Sequence, residues 1–381
     1  MKRTKIAIAT HFPLDPQSPR GGVEAVSVNL VRSLAAYDDL DVHVVTLHPA
    51  GSFKDNVESW GRAQIHHLPR GAQSELRNAV GEGRRQVRKY LEELQPAVVH
   101  AHDTYGLMVK GLALPRVFTI HGFIYGDTLV SGRKFPWLRS QLWKKVETSG
   151  WADQPHIISI SPYVRERLAG IATGVIHDID NPIADGFFDI IRQEEAGVIF
   201  SAAAICPRKN TLALVHALKE LTNSGVDASL RLAGPITDAG YGERVQRTIA
   251  DFNLTERVAL LGQIGTTQIM RELAAASVFA LLSLEENSPM GIEEAMAVGV
   301  PVLTSNRCGM PYMVRHAETG YLVDPHDVRD IARRLATLLG NPHLRQSMGA
   351  RARTVAQDRF HPRNVAERTR MVYADAQAMS A

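Results

Sequence analysis

Apolar residues along this chain fall into short unbroken runs separated by longer stretches of helical period. Lys5–Thr10, Val42–Leu47, Gln64–Leu68, Ala97–Ala101, Arg116–His121 and His156–Ser161 read as strands. A second series follows: Gly197–Ala203, Ala228–Ala233, Arg257–Leu261, Val278–Leu284, Pro301–Thr304 and Gly320–Val323. Continuous apolar runs without strict alternation are what strands buried on both faces require. Helical patterns such as Thr211–Leu221 and Tyr241–Asp251 lie between them. Two series of alternating strands and helices predict two α/β domains, each a helix-covered parallel sheet. The joint is expected in the loop-rich stretch from Asn181-Pro182-Ile183 to Glu195, which gives domains of 1–182 and 195–360. Ligands of such sheets bind outside the carboxyl ends of the strands, so two facing sheets are expected to enclose a ligand in the cleft between them.

At 381 residues the chain is long enough for two cores. An apolar content of 45% and a charged content of 22% are ordinary for a soluble globular protein. The net charge of +3 is too small to argue for nucleic acid, and no zinc spacing, RNA motif or basic arm supports that class. Two cysteines, Cys206 and Cys308, make no disulfide framework and suit a reducing cytoplasm. No apolar run has the length of a membrane span, and the N-terminus passes directly into a short strand, so the expectation is a cytoplasmic protein. Residues 51–150 hold 15 Lys+Arg against 9 Asp+Glu. Within 132–145, Arg133, Lys134, Arg139, Lys144 and Lys145 surround Trp137, Leu138, Leu142 and Trp143. A stretch of this kind can lie on an anionic membrane, at the inner face of which the protein would then be peripheral; it can equally be a helix whose tryptophans pack on the sheet.

The most informative stretch is 281–304. Glu286 and Glu294 stand there with seven residues between them. The run Val278–Leu284 predicts a buried strand, Pro289 suits a helix start, and Gly299 is placed to stop that helix. Glu286 is therefore expected in the strand's exit loop and Glu294 about one turn inside the helix. A helix N-terminus at the carboxyl end of a strand attracts anions, and carboxylates beside it accept hydrogen bonds from hydroxyls. Phosphate at the helix end and hydroxyls on the glutamates describe a nucleotide sugar. The competing reading is two acids that merely complement the helix dipole.

The continuation decides between them. E-x7-E followed by Ala-Met-Ala-x-Gly-x-Pro-Val closely resembles the signature of the family-4 retaining glycosyltransferases, and the resemblance covers essentially the whole chain. It implies the GT-B fold, two Rossmann-like domains facing across a cleft, with an N-terminal acceptor domain and a C-terminal nucleotide-sugar domain. It also implies that the last helix, within 361–381, crosses back onto the N-terminal domain. The implied activity is retaining transfer of a sugar from a UDP- or GDP-sugar to an acceptor hydroxyl of a glycan or lipid-linked acceptor, in polysaccharide or glycoconjugate biosynthesis. No bound metal or other cofactor is implied.

The resemblance extends to particular residues. Cys206-Pro207-Arg208-Lys209-Asn210 is similar to the end of the family's Gly-Arg-x-x-x-x-Lys-Asn motif, but Ala203 and Ala204 replace its glycine and arginine. Lys209 is thus assigned to donor phosphate, with Arg208 a candidate substitute for the absent arginine. Gly21-Gly22 resembles the N-domain glycine loop, His121 the histidine that contacts the donor sugar, and Gly234 a glycine near the nucleotide. Pro289 stands in a loop that is Gly-Phe-Gly-Leu in many relatives and cannot donate an N–H, so phosphate falls to the amides of Ser288, Met290 and Gly291. Glu294 is assigned to ribose and Glu286 to the sugar, which makes His121, Lys209 and Glu286 the catalytic candidates. His100-x-His102 suggests a metal site by composition, but no third ligand is identifiable and no metal is expected. Two other functions fit the same fold: a sugar-nucleotide epimerase, and a non-catalytic subunit that stabilises a partner transferase.

Overall fold

A computed structural model describes residues 3–72, 74–129 and 135–379. The chain divides into two compact units. The first comprises Met1–Ile124, Gln141–Ile183 and His361–Ala381, and the second Tyr125–Ser140 and Ala184–Phe360. The short segment Tyr125–Ser140, read from sequence as part of the N-terminal half, thus groups with the second unit.

The sheet of the first unit contains eight strands among the described residues: β1 (Thr4–Ala9), β2 (Leu40–Pro49), β3 (Val57–Trp60), β4 (Ala63–Arg70), β5 (Val98–His102), β6 (Arg116–Ile120), β7 (His156–Ser159) and β8 (Val175–Asp178). Their order is β3-β4-β2-β1-β5-β6-β7-β8, and only the β3–β4 pair is antiparallel. β1 lies at the centre, with Ile6 opposite Val42 on one side and Val98 on the other. Ile6, Ala7, Ile8 and Ala9 are all buried, because helices cover both faces of the sheet. The last helix, Pro362–Ala378, sends Val365, Ala366, Val372, Tyr373 and Ala376 into this same core.

The second sheet is wholly parallel. It is built from β9 (Val198–Ala202), β10 (Ser229–Ala233), β11 (Val258–Gly262), β12 (Val278–Leu281), β13 (Val302–Ser305) and β14 (Gly320–Val323), in the order β11-β10-β9-β12-β13-β14. The predicted strands are all present, with ends displaced by a residue or a few. The largest displacement is functional in consequence: β12 stops at Leu281, and Leu284 leaves the ladder to donate its amide to the carbonyl of Arg208. Two strands escaped the sequence pattern. β3 is exposed for most of its length, and β8 has only four residues of intermediate to high exposure, so neither carries an apolar run.

The helix Met290–Val298 begins after Pro289 and ends at Gly299, whose φ of 82° lies in the left-handed region that glycine tolerates. Its C-terminal end is fixed by a backbone contact. A Cβ on Gly349, in the helix Pro342–Arg359, would lie 2.0 Å from the carbonyl oxygen of Gly299.

The basic stretch forms the start of the helix Pro136–Trp151. Trp137 does not pack on the sheet: it is 66% exposed, close to Phe135 at 76% and Leu138 at 64%, while Arg139, Lys144 and Lys145 are also exposed. Arg133 and Lys134 lie outside the described residues. No helix among the described residues is long and apolar enough to cross a membrane.

Two outcomes follow. Gly349→Ala is expected to destabilise the protein by about 1–3 kcal/mol, the usual cost of overpacking; a urea unfolding midpoint equal to that of the parent would contradict the Gly299–Gly349 contact. The second concerns acid. Burial holds His48 and His66 down at about 4 and His100 at about 3, with neighbouring histidines adding to the effect. Their unfolded values lie near 6.5. Below about 6.5 the unfolded chain therefore takes up more protons than the folded one, and the stability of the first unit falls as pH drops towards 4. Amide exchange in β2, β4 and β5 is expected to accelerate between pH 7 and 5 beyond its intrinsic pH dependence, with no comparable change in β9 and β12.

Candidate functional site

In the second unit, the ends of β9 and β12 deliver a cluster of charge. After β9 the chain makes a short 3-10 turn, Pro207–Lys209, and Asn210 takes a left-handed φ of 53° before the helix Thr211–Asn223. That kink, held by Asn210 Nδ2 donating to the Pro325 carbonyl at 2.8 Å, places Arg208 and Lys209 beside the loop that follows β12. Arg208 Nη1 donates to Glu286 Oε1 at 2.9 Å and to the Glu285 carbonyl at 2.8 Å. Lys209 Nζ donates to the same Glu286 oxygen. The Glu286 side chain is only 11% exposed. Burial alone would raise its carboxyl, but Lys209 and Arg208 overcome that and hold it below the usual carboxylate range.

The loop is clamped from its other side. Gly309 N donates to the Glu286 carbonyl at 2.8 Å, and a Cβ on Gly309 would lie 1.7 Å from the carbonyl oxygen of Asn287. Only glycine fits there. Cys308, with φ of 53°, turns its sulfur to 3.1 Å from Glu285 Oε2. Nothing in the E-x7-E spacing pointed to Cys308-Gly309.

The helix Met290–Val298 carries the second glutamate. Met290 and Gly291 open it, so their amides have no intrahelical acceptor, whereas Ile292 N is taken by the Pro289 carbonyl. Gly291 packs tightly: a Cβ there would lie 2.9 Å from Phe279 Cζ and 3.3 Å from the Ala202 carbonyl oxygen. Ser288 is buried, and its hydroxyl donates to Glu293 Oε1 at 2.7 Å. Glu293, which is fully buried, is thus tied into the helix start, while its neighbour Glu294 is half-buried as a residue. Among the described residues Glu294 has no hydrogen-bonding or charged partner, and burial pushes its carboxyl up to about 8. Two acids on one motif are therefore in opposite conditions, Glu286 ionised and paired, Glu294 unpaired and raised. Gly234, at the end of β10, has a φ of 139°, and a Cβ there would lie 2.1 Å from the Ala203 carbonyl oxygen. It is a glycine by backbone necessity, beside the Ala203-Ala204 departure from the motif.

The remaining predicted residues belong to the first unit. Gly22 is the first residue of the helix Gly22–Ala35. Gly21 before it has an extended φ of −163°, and a Cβ there would meet nothing within 4 Å, so the fold itself does not demand glycine at 21. His121 follows β6. Its backbone N–H donates to Asp103 Oδ1 at 2.8 Å, its Nδ1 lies 3.0 Å from Asn181 Oδ1, and its Nε2 lies 3.0 Å from His102 Nδ1. A carbonyl oxygen only accepts, so Nδ1 carries the proton and Nε2 accepts from His102. Burial lowers the His121 value, against the pull of Asp103 and Asn181, and the ring is neutral at pH 7. Both ring nitrogens are thus already engaged, which the sequence does not reveal. His100 is likewise committed, to Tyr373 of the last helix at 2.8 Å and to Thr119 at 2.7 Å.

The families of known proteins that match divide the chain in the same sense. "Glycosyltransferase Family 4" matches residues 20–184 and "Glycosyl transferases group 1" matches residues 185–355. A D-inositol 3-phosphate glycosyltransferase of Nocardioides sp. is 26% identical over 94% of this chain and 86% of its own length. A GDP-mannose-dependent alpha-(1-6)-phosphatidylinositol monomannoside mannosyltransferase of Mycolicibacterium smegmatis is 30% identical, over 43% of this chain and 44% of its own. Among solved structures, sucrose-phosphate synthase from Thermosynechococcus elongatus superposes with a TM-score of 0.84 at 21% identity, covering 99% of this chain and 100% of that one. HepE of Anabaena, solved with UDP-glucose, gives 0.76 at 17% identity, covering 98% and 100%. With these matches spanning both units, the chain belongs to the family-4 glycosyltransferases of GT-B fold.

Proposed function

We propose that this glycosyltransferase moves a sugar from a nucleoside diphosphate sugar to an acceptor hydroxyl with retention of anomeric configuration. The observation that carries the reading is Glu294, a carboxyl without a partner among the described residues, one turn inside the helix that follows the loop of the Arg208–Lys209–Glu286 cluster. An acid so placed is costly to the free protein and is compensated once ligand hydroxyls donate to it. In this reading Glu294 holds the ribose hydroxyls and Glu286 accepts from hydroxyls of the transferred sugar. Lys209, Arg208 and the amides of Ser288, Met290 and Gly291 take the diphosphate, and Gly234 leaves room for the nucleotide. Gly22 and His121, in the N-terminal, acceptor-binding domain, are assigned to the donor by their likeness to the family's residues, and His121 would free a ring nitrogen for a sugar hydroxyl by giving up its bond to His102 or Asn181.

The chemical task is to stabilise the departing diphosphate, and fixed cations with helix amides do so without reorganisation. As the glycosidic C–O bond to phosphate breaks, the acceptor oxygen bonds to the anomeric carbon on the same face, and its proton passes to the leaving phosphate oxygen. The name of the Mycolicibacterium relative supports a nucleotide-linked donor, and those of both relatives support an inositol-type or glycan acceptor. The exposed Phe135, Trp137 and Leu138, with Arg139, Lys144 and Lys145 and no exposed acid on the helix, support contact with an anionic membrane carrying a lipid-linked acceptor.

Calorimetric titration with UDP, GDP and ADP tests the donor site. One nucleotide is expected to bind selectively, and Glu294→Ala to weaken it about tenfold or more, the worth of a hydrogen bond to a charged group. Because the free Glu294 carboxyl titrates near 8, binding through its ionised form strengthens as pH rises from 7 towards 9; Glu294→Gln is expected to flatten that dependence. Absence of binding to all three nucleotides would move the reading to a non-catalytic subunit. Membrane contact is tested separately with vesicles. Binding to phosphatidylglycerol vesicles is expected, with little to phosphatidylcholine, and Trp137→Ser/Leu138→Ser is expected to abolish it while nucleotide affinity is unchanged.

A further inference from the structure

Asp127 has no place in the family signature, yet it reaches one of the same cations, Arg208. It lies on the short helix Ile124–Leu129, in the segment Tyr125–Ser140 that groups with the second unit. Its Oδ1 is 3.7 Å from Arg208 Nη1, the nitrogen that also serves Glu286 and the Glu285 carbonyl. Arg208 and Lys209 thus already face carboxylates without a ligand, Glu286 directly and Asp127 at Arg208, with Glu285 beside them. A diphosphate adds at least two negative charges to that cluster. Seating it on Arg208 requires one carboxylate to yield, since like charges packed around one guanidinium repel.

The two carboxylates are not equally held. Glu286 is 11% exposed and takes hydrogen bonds from both cations. Asp127 is 49% exposed and, among the described residues, reaches one of them at 3.7 Å, longer than a hydrogen bond. Moving Asp127 into water costs little, whereas moving Glu286 leaves two half-buried cations without their partner. We propose that Asp127 occupies the diphosphate's place against Arg208 in the free protein and is displaced by the donor, so that it sets donor affinity by competition. This rests on the donor site proposed above and adds to it a residue that opposes binding. The cation it controls is the one this chain supplies from position 208, four residues beyond Ala204.

The test is Asp127→Asn, which keeps shape and removes charge, titrated beside the parent protein with UDP and GDP and with uridine and guanosine. The expected result is a dissociation constant for the preferred diphosphate about fivefold or more lower, as befits loss of one partly solvated opposing charge. The unphosphorylated nucleoside should bind equally to both proteins. In an Arg208→Met background the same substitution should give no gain, which separates competition at Arg208 from a general change in charge. Equal or weaker diphosphate binding by Asp127→Asn, with the parent binding normally, overturns this proposal and leaves the donor site standing. Binding by the variant alone supports competition strongly, and binding by neither protein overturns both readings. Thermal melts of each variant guard against misfolding, and Asp127→Ser, expected to act in the same direction, provides a second neutral side chain.

Discussion

Glu286 is a carboxylate nearly removed from water, and the second unit's site is arranged around the need to neutralise it. An isolated charge in that position would lose its hydration without return, and the two cations that restore the balance come from the end of a different strand. Meeting this requirement draws the exit of β9 against the exit of β12. The backbone does the same: Leu284 donates to the Arg208 carbonyl, and Gly309 donates to that of Glu286. Three loops are thus fixed by one ion cluster and two backbone hydrogen bonds. The geometry of the site and its charge have the same origin.

Glu294 shows the opposite arrangement a few residues away. Among the described residues Glu286 has two cationic partners and Glu294 none, so the first is held ionised while burial raises the second to about 8. Natural sequences keep an uncompensated polar group where function requires it and satisfy the rest locally. Glu293, buried completely, differs from Glu294 in having one carboxylate oxygen bonded to Ser288. Of the four acids on this loop and helix, then, Glu286 is balanced by cations, Glu285 meets the Cys308 sulfur, Glu293 bonds to Ser288, and Glu294 has no partner among the described residues.

Much of this was legible in sequence because it is local. The helix start after Pro289, its stop at Gly299 and the two sheets follow from residue type and period, which act over a few positions. What escaped acts across the chain. Asp127 meets Arg208 from a segment about eighty residues earlier, and Gly309 is required by a carbonyl on Asn287 that no spacing connects to it. The histidine residues show the limit most clearly. His121 could be singled out as lying at a strand end, but the occupancy of both its nitrogens by Asn181 and His102 depends on three separate strand ends meeting. β3 and β8 were missed for a different reason: exposed or very short strands lack the apolar run by which a strand is recognised.

The departure at Ala203-Ala204 acquires a physical sense from these contacts. The carbonyl of Ala203 presses on Gly234, so the backbone at the end of β9 is fixed against β10. A cation can still reach the loop after β12 from the next turn, and Arg208 does so with a planar guanidinium anchored to the Glu285 carbonyl. In the proposed reading this relocates the phosphate-binding charge from a strand end to a 3-10 turn. A guanidinium held by a backbone carbonyl and a carboxylate loses little freedom on binding, but it begins already occupied. Its contribution to donor binding is then the difference between two sets of partners, those of the free protein and those of the complex. The same bonds that orient Arg208 therefore reduce what it contributes to affinity.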